Sequence, residues 1–180
     1  MSQPPSPTDV LPLIQRLLQG ERLWRPANGA ERESLFDAVA ELLPGPIGWL
    51  PAENGLLANL RAWENLVLPL CYHRGDGPDP LLERRLNHLL GQLGFETDEI
   101  ERLCASPIGQ LSHRRRRLLC GVRAMLSGCR VLLIEAEWLQ RLDDDEAPLW
   151  QALFEQELPG AGWLVVGHKA PASLWRCSAD

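Results

Sequence analysis

Acidic side chains and a histidine follow two short aliphatic runs of this sequence. Glu135 and Glu137 end the run Arg130–Glu137, and His168 comes directly after the run Gly162–Gly167. Both runs have the length and apolar content of buried strands in an α/β sheet. Ligands of open α/β sheets bind outside the carboxyl ends of the strands. The layout therefore predicts a ligand-binding edge beside Glu135.

A second candidate site is the row of four arginines from Arg114 to Arg117, at the start of a predicted amphipathic helix. Ser112 stands at the N-cap position. The free N–H groups and the dipole of a helix N-terminus favour anions, whereas each exposed cation there costs about 0.3–1 kcal/mol. The cluster indicates either a phosphate or an acidic protein surface that offsets this cost. The plainer interpretation is a solvated helix face, on which an arginine stem covers apolar surface.

Composition limits the class of protein. The 180 residues are 45 % hydrophobic and carry a net charge of −6, which predicts one folded domain and disfavours a general nucleic-acid binder. No apolar run approaches the length of a membrane span, and residues 1–8 lack the pattern of a signal peptide, so we expect a cytoplasmic protein. The acidic run Asp143–Glu146 suits the first turn of a helix, and no metal site is predicted. The cysteines lack CxxC spacing, which favours reduced, buried thiols: Cys71, Cys104, Cys120, Cys129 and Cys177.

Hydrophobic periodicity gives the order of the elements. Residues 1–8 are predicted to be disordered and residues 9–180 to form a single domain. Strands are predicted over 47–50, 131–135 and 162–167, and 21–25 is a further candidate for a short strand. Helices are predicted over 9–19, 30–43, 110–127 and about 144–157. A helical insertion over about 58–109 separates the first strand from the helix that carries the arginines. Strands that alternate with helices around an aliphatic core predict an α/β fold with a largely parallel sheet.

These residues and their order resemble the ATP-binding subunit of ABC transporters. The resemblance covers about residues 9–170 and rests on six segments in the family's order. They correspond to the Q-loop strand, the entry to the helical subdomain, the LSGGQ signature, the Walker B strand, the D-loop and the H-loop: Ile47–Leu50, Trp63–Leu70, Gln110–Ser112, Arg130–Ile134, Leu142–Asp143 and Val165–His168. The phrase Leu68–His73 is similar to the lipid-transport branch of Mla and Mce type.

The sequence departs from the family at most of the positions that handle nucleotide. The P-loop, G-x-x-x-x-G-K-[ST], is not found, and residues 13–20 resemble the end of the helix that follows it, so a truncated P-loop NTPase-like core is expected. The Q-loop glutamine falls at Ala52, beside Glu53, and the signature reads Leu111-Ser112-His113-Arg114-Arg115. Glu135 takes the place of the Walker B aspartate. An acid there can also cap neighbouring N–H groups or pair with an arginine.

Two further family positions are altered or isolated. The catalytic glutamate falls at Ala136, and only a one-residue shift brings Glu137 to its place. The switch histidine survives as His168, and without a P-loop in the same chain it is interpreted as a leftover or structural histidine. The position of Trp138 beside the acids predicts a side chain that fills the space of the nucleotide.

The resemblance thus implies a non-hydrolysing ABC ATPase-like subunit without a cofactor of its own. Its expected partner is a transporter permease or a full-length ABC ATPase, through which the chain would lie at the cytoplasmic face of the membrane. One alternative is a half-site that completes ATP hydrolysis in trans, with ATP and Mg²⁺ held by the partner subunit. A second alternative is an anion-binding or nucleic-acid-binding module built on the four arginines, whose affinity would fall steeply with salt.

Overall fold

The computed structural model describes residues 7–53, 55–74, 80–170 and 178–179, with side chains described for 10–53, 55–71 and 80–170. Five strands are present in this part of the chain: β1 Arg22–Pro26, β2 Ile47–Leu50, β3 Val131–Glu135, β4 Gly162–Gly167 and β5 Ser178–Ala179. The α-helices are α1 Pro7–Leu18, α2 Gly29–Leu42, α3 Ala62–Arg74, α4 Pro80–Gln92, α5 Thr97–Ala105, α6 His113–Ser127, α7 Ala136–Gln140 and α8 Glu146–Glu157. A short 3₁₀ turn, Ile108–Gln110, precedes α6.

The strands form one parallel sheet in the order β2-β3-β4-β1-β5. Every residue of β3 and β4 is buried, because helices cover both faces of the sheet, as parallel sheets require. One face packs against α6, α7, α8 and the helical insertion, and the other packs against α1 and α2. The predicted α/β fold with a parallel sheet is confirmed.

The helical insertion joins β2 to α6 and consists of α3, α4 and α5. Its two ends meet at an antiparallel bridge between Arg61 and Pro107. The buried Asn65 side chain bonds to both backbone groups of Leu57, accepting from the amide at 2.7 Å and donating to the carbonyl at 3.0 Å. A buried amide that is satisfied in this way fixes the path of the chain where it enters the insertion.

Two expectations about the start of the chain need correction. Helix α1 begins at Pro7 rather than at residue 9, while residues 1–6 lie outside the described part. Residues 13–20 were matched to the helix that follows a P-loop, and this is wrong. The helix after a P-loop follows a strand of the sheet. Helix α1 comes before β1, whereas α2 follows β1, and β1 pairs with β4 in the sheet.

The expectation for Trp138 was also wrong. Its side chain is fully buried and packs edge-on against Trp150 at 5.4 Å between ring centroids. Phe154 lies 6.0 Å from Trp138, and Trp163 lies 6.1 Å from Phe154. Aromatic pairs at these separations stabilise a core beyond their area alone, so Trp138 belongs to the core beneath α8 rather than to a ligand site.

Candidate functional site

The carboxyl ends of three neighbouring strands meet at one edge of the sheet. Glu135 of β3 lies opposite Val166 of β4, and Pro26 of β1 lies opposite Gly167. The chain leaves β1 through Ala27, whose amide donates to the Gly167 carbonyl at 3.2 Å, and α2 begins two residues later. This edge is where an open α/β sheet binds its ligands.

The segment β1–α2 has the strand–turn–helix arrangement of a P-loop. Set against the motif G-x-x-x-x-G-K-[ST], its turn puts Pro26 and Glu31 at the glycine positions, Arg32 at the lysine position and Glu33 at the hydroxyl position. The strand–turn–helix arrangement is therefore present although the motif is not. The motif does not reveal this segment, because Arg32 stands at the lysine position.

A capping box closes the N-terminus of α2. The Glu31 amide donates to Asn28 Oδ1 at 3.1 Å, and the Asn28 amide donates to Glu31 Oε2 at 3.1 Å. A P-loop offers such N–H groups to phosphate. Here two of them are bonded to side chains of the chain itself, and the Glu31 carboxylate puts a negative charge where a phosphate would approach.

Arg32 forms ion pairs with both acids that were predicted to mark the site. Its Nη2 lies 3.4 Å from Glu135 Oε2, and its Nη1 lies 3.2 Å from Glu137 Oε2. The side chains of Arg32, Glu135 and Glu137 are 18 %, 11 % and 33 % exposed, so the pairs are largely screened from water. Arg32 Nε is buried and has no hydrogen-bond partner among the described residues.

The segment at the Q-loop position is tied to the same acid. The Ala52 amide donates to Glu135 Oε2 at 3.0 Å. Arg141, just after α7, donates to the Ala52 carbonyl at 2.7 Å and to Glu53 Oε1 at 2.8 Å. The hydrogen bond and the charge of Arg141 lower the pKa of Glu53. Sequence reasoning missed Arg141, because nothing in its local sequence shows that it reaches residues 52 and 53.

The four arginines of α6 take different partners. Both Arg114 and Arg117 pair with Glu146 of α8, at 2.7 Å and 3.5 Å. Arg116 Nε donates to the Leu111 carbonyl at 2.9 Å, while Arg115 is exposed. Three of the arginines thus contact groups of the chain itself.

Glu146 is the acid that offsets two of these charges. Its burial raises the pKa of the carboxyl, but the hydrogen bond from Arg114, a backbone hydrogen bond and the nearby arginine charges lower it further than burial raises it. The net pKa therefore lies below its ordinary value.

The remaining predicted residues lie around these contacts. Ser112 caps α6 by accepting from the Arg115 amide at 3.3 Å, and it and His113 are exposed. Together with Glu53, His113 lines a cavity of about 70 Å³ between the Q-loop segment and α6. His168 is exposed, next to Gly167, which packs against Ala136. Among the described residues, no group of three or more His, Cys, Asp or Glu side chains could hold a metal ion.

Comparison with solved structures identifies the fold. The chain superposes on the dimeric structure of a bacterial ABC transporter cassette with a TM-score of 0.65 and 19 % identity, over 88 % of this chain and 78 % of that one. It matches a dimeric ATP-binding cassette bound to ADP and phosphate with a TM-score of 0.62 and 18 % identity, over 84 % and 76 %. A metal-chelate type ABC transporter in an inward-facing conformation gives a TM-score of 0.58 and 17 % identity, over 84 % and 64 %.

The fold is thus that of an ABC ATPase core: a mainly parallel sheet with an inserted helical subdomain. The chain spans less than two thirds of the length of the metal-chelate transporter structure. No protein-family model matches this sequence, and no curated protein matches it. Within the part of the chain that the structure describes, no helix is long and apolar enough to cross a membrane.

Proposed function

We propose that this chain is a non-hydrolysing ABC ATPase-like subunit that binds a transporter permease or a competent ABC ATPase. The observation that carries the proposal is the pairing of Arg32 with Glu135 and Glu137. A P-loop lysine contacts nucleotide phosphates, and an acid at the end of the Walker B strand contacts Mg²⁺. In this chain the two positions neutralise each other.

The acidic side chains at the start of α2 also oppose the binding of nucleotide. A P-loop presents backbone N–H groups and one cation to phosphates. In this chain the start of α2 carries Glu31 and Glu33 instead, and the cation Arg32 is already paired. Bound ATP–Mg²⁺ would have to break both ion pairs and lie near the Glu31 carboxylate. Because separating the paired charges and bringing a polyanion near Glu31 both cost free energy, we expect no ATP binding in the millimolar range or below.

Isothermal titration with ATP–Mg²⁺ and a phosphate-release assay test this expectation. The chain should give no binding heat and no hydrolysis above the buffer rate, while a competent ABC ATPase in the same buffer gives both. Micromolar ATP binding accompanied by hydrolysis would overturn the proposal.

Exposed apolar side chains at the helical insertion support a partner-binding role. Leu57 lies at the entry to the insertion and Leu68 lies on α3, and both are about half exposed. A folded protein gains by covering such side chains with an apolar partner surface. We place the permease, at the cytoplasmic face of a membrane, against this part of the insertion. The phrase Leu68–His73 makes lipid transporters the first class to test.

Co-purification with the transporter from native membranes tests this surface. Leu57→Glu and Leu68→Glu should each reduce the amount of transporter recovered. Leu149→Glu is the matched control, because Leu149 is similarly exposed but lies on α8. Equal losses from all three variants would contradict an interface at the insertion.

A half-site that works in trans is the second candidate. The observation in its favour is the exposed start of α6, where Ser112, His113 and Arg115 face solvent. Mixing with a competent ABC ATPase should then change that protein's rate, and Ser112→Ala or Arg114→Glu should alter the change. A rate that is identical with and without this chain would exclude the half-site. The nucleic-acid alternative gains nothing from the structure, because Arg114, Arg116 and Arg117 contact the chain itself.

A further inference from the structure

The segment between β2 and the helical insertion is held from both sides. Its Ala52 amide donates to Glu135 at 3.0 Å, and its Ala52 carbonyl accepts from Arg141 at 2.7 Å. Arg141 also bonds to Glu53 at 2.8 Å. A single residue thus has both backbone groups bonded to charged side chains, and hydrogen bonds to charged groups are the stronger kind.

The two charged groups come from the elements on either side of one short helix. Glu135 ends β3, and Arg141 follows α7, which packs against β3 and β4. Glu135 is in turn held by Arg32 of α2 at 3.4 Å. The anchors of Ala52 therefore belong to the sheet and its helices and not to the insertion.

The same segment leads directly into the insertion. Leu57 follows it in the chain, and both backbone groups of Leu57 bond to the buried Asn65 of α3. Asn65 also donates to the Arg61 carbonyl at 3.1 Å. Polar contacts therefore hold the chain at Ala52, beside the end of β3, and again at Leu57, beside the first turn of α3.

A second set of polar contacts joins α4 of the insertion to the core. Arg85 of α4 donates to the Met125 carbonyl at 2.9 Å and to Glu157 Oε2 at 3.3 Å. The cation thus lies at the C-terminus of α6, where the helix dipole favours it, and it also reaches the end of α8. Arg85 thus joins the insertion to the core in addition to the apolar packing of α3 and α4 against α6.

We propose that Glu135 and Arg141 form a permanent clamp on residues 52 and 53, so that ion pairs of the chain, and not a bound nucleotide, set the position of the helical insertion. The inference rests on the proposed function, because the clamp uses the acid that Arg32 keeps from a metal ion. A partner would then meet an insertion whose orientation is the same with and without ATP.

Hydrogen–deuterium exchange of the full chain tests the clamp. Arg141→Ala should raise the exchange rate of the amides over 52–57 about five- to tenfold. In this variant the segment can open locally without breaking a charged hydrogen bond to the Ala52 carbonyl. Glu53→Gln should raise it less than about threefold, since exposed ion pairs contribute little. Arg84→Ala, which removes an exposed arginine of α4 that bonds to the Pro80 carbonyl, should leave it unchanged.

The same experiment separates the clamp from the proposed function. Exchange over 131–135 in each variant shows that the sheet is intact. Unchanged exchange over 52–57 in Arg141→Ala would overturn the clamp, even if the chain binds no ATP. Slower exchange over 52–57 when ATP–Mg²⁺ is added to the natural chain would show that nucleotide affects this segment, and would overturn the inference. A binding isotherm for ATP–Mg²⁺ would then show whether the proposed function fails as well.

Discussion

Replacing Arg32 by methionine removes the cation between Glu135 and Glu137 but keeps most of the apolar length of the side chain. Two carboxylates would then lie near each other without a cation. At an effective dielectric constant of about 20, each charge pair at 3.4 Å or 3.2 Å attracts by about 5 kcal/mol. The cost of desolvating the charges cancels much of this attraction. The net loss of stability therefore depends on how deeply the three side chains are buried.

The burial of Arg32, Glu135 and Glu137 puts the expected loss of stability between two limits. Exposed ion pairs contribute up to about 1 kcal/mol, whereas removing one partner of a buried pair costs about 3–5 kcal/mol. Arg32 and Glu135 lie near the buried limit and Glu137 lies closer to the exposed one. We therefore expect Arg32→Met to lower the free energy of unfolding by about 2–3 kcal/mol, which lowers the melting temperature by about 4–12 °C for a domain of this size.

Urea denaturation followed by tryptophan fluorescence measures the loss. Arg84→Met is the control, because Arg84 is exposed and donates to the Pro80 carbonyl of its own helix. The double variant Arg32→Met/Glu135→Gln should lose less than the two single variants together, since the second change removes the charge that the first leaves unpaired. A loss for Arg32→Met no larger than for Arg84→Met, within about 0.5 kcal/mol, would refute the network.

Three further predictions concern the core and the charged clusters. A Cβ at Gly121 would overlap the ring of Trp150, so Gly121→Ala should cost about 1–3 kcal/mol in urea denaturation, and equal stability would contradict the packing. The pKa of Glu146 is lowered in the folded chain, so its contribution is present above the ordinary carboxyl range and lost as the pH falls. Glu146→Gln should therefore flatten the dependence of stability on pH between about pH 6 and about pH 3, and parallel curves would be the contrary result. Burial raises the pKa of Cys120 to about 11, so iodoacetamide should label it more slowly at about pH 8 than the partly exposed Cys71, and equal rates by mass spectrometry would show that the helix opens.

The central elements were predictable where hydrophobic pattern decides the structure. The runs that form β3 and β4 are apolar throughout because both faces of the sheet are covered. Helix α6 shows an apolar face, and its end follows from Gly128, whose φ of 62° suits glycine. The helical insertion and the order of the strands after it could be located for the same reasons.

A short strand over 21–25 was a candidate, but its place in the sheet beside β4 was not predicted, because β1 has two arginines and a proline in five residues. Of these five, Leu23 is buried, and the Arg22 guanidinium lies 3.9 Å above the ring centroid of Trp163. Such a contact lets a charged residue lie in a strand of the sheet, but the sequence alone does not reveal it. The role of β1–α2 at the site was missed for this reason.

The candidate site was predicted in part. An acid at the end of β3 that caps an N–H group and pairs with an arginine was expected, and the structure places Glu135 in that role with Ala52 and Arg32. The identity of the arginine could not be predicted, because Arg32 and Glu137 are 105 residues apart in sequence. The Arg114–Glu146 pair is likewise set by how α6 and α8 pack.

A crystal structure of the chain grown with millimolar ATP–Mg²⁺ tests the central claim most directly. We predict that Arg32 remains within ion-pair distance of Glu135 and Glu137, with no nucleotide at the turn before α2. Density for ATP phosphates at that turn, with the Arg32 guanidinium moved onto them and Glu135 facing a metal ion, would contradict the account.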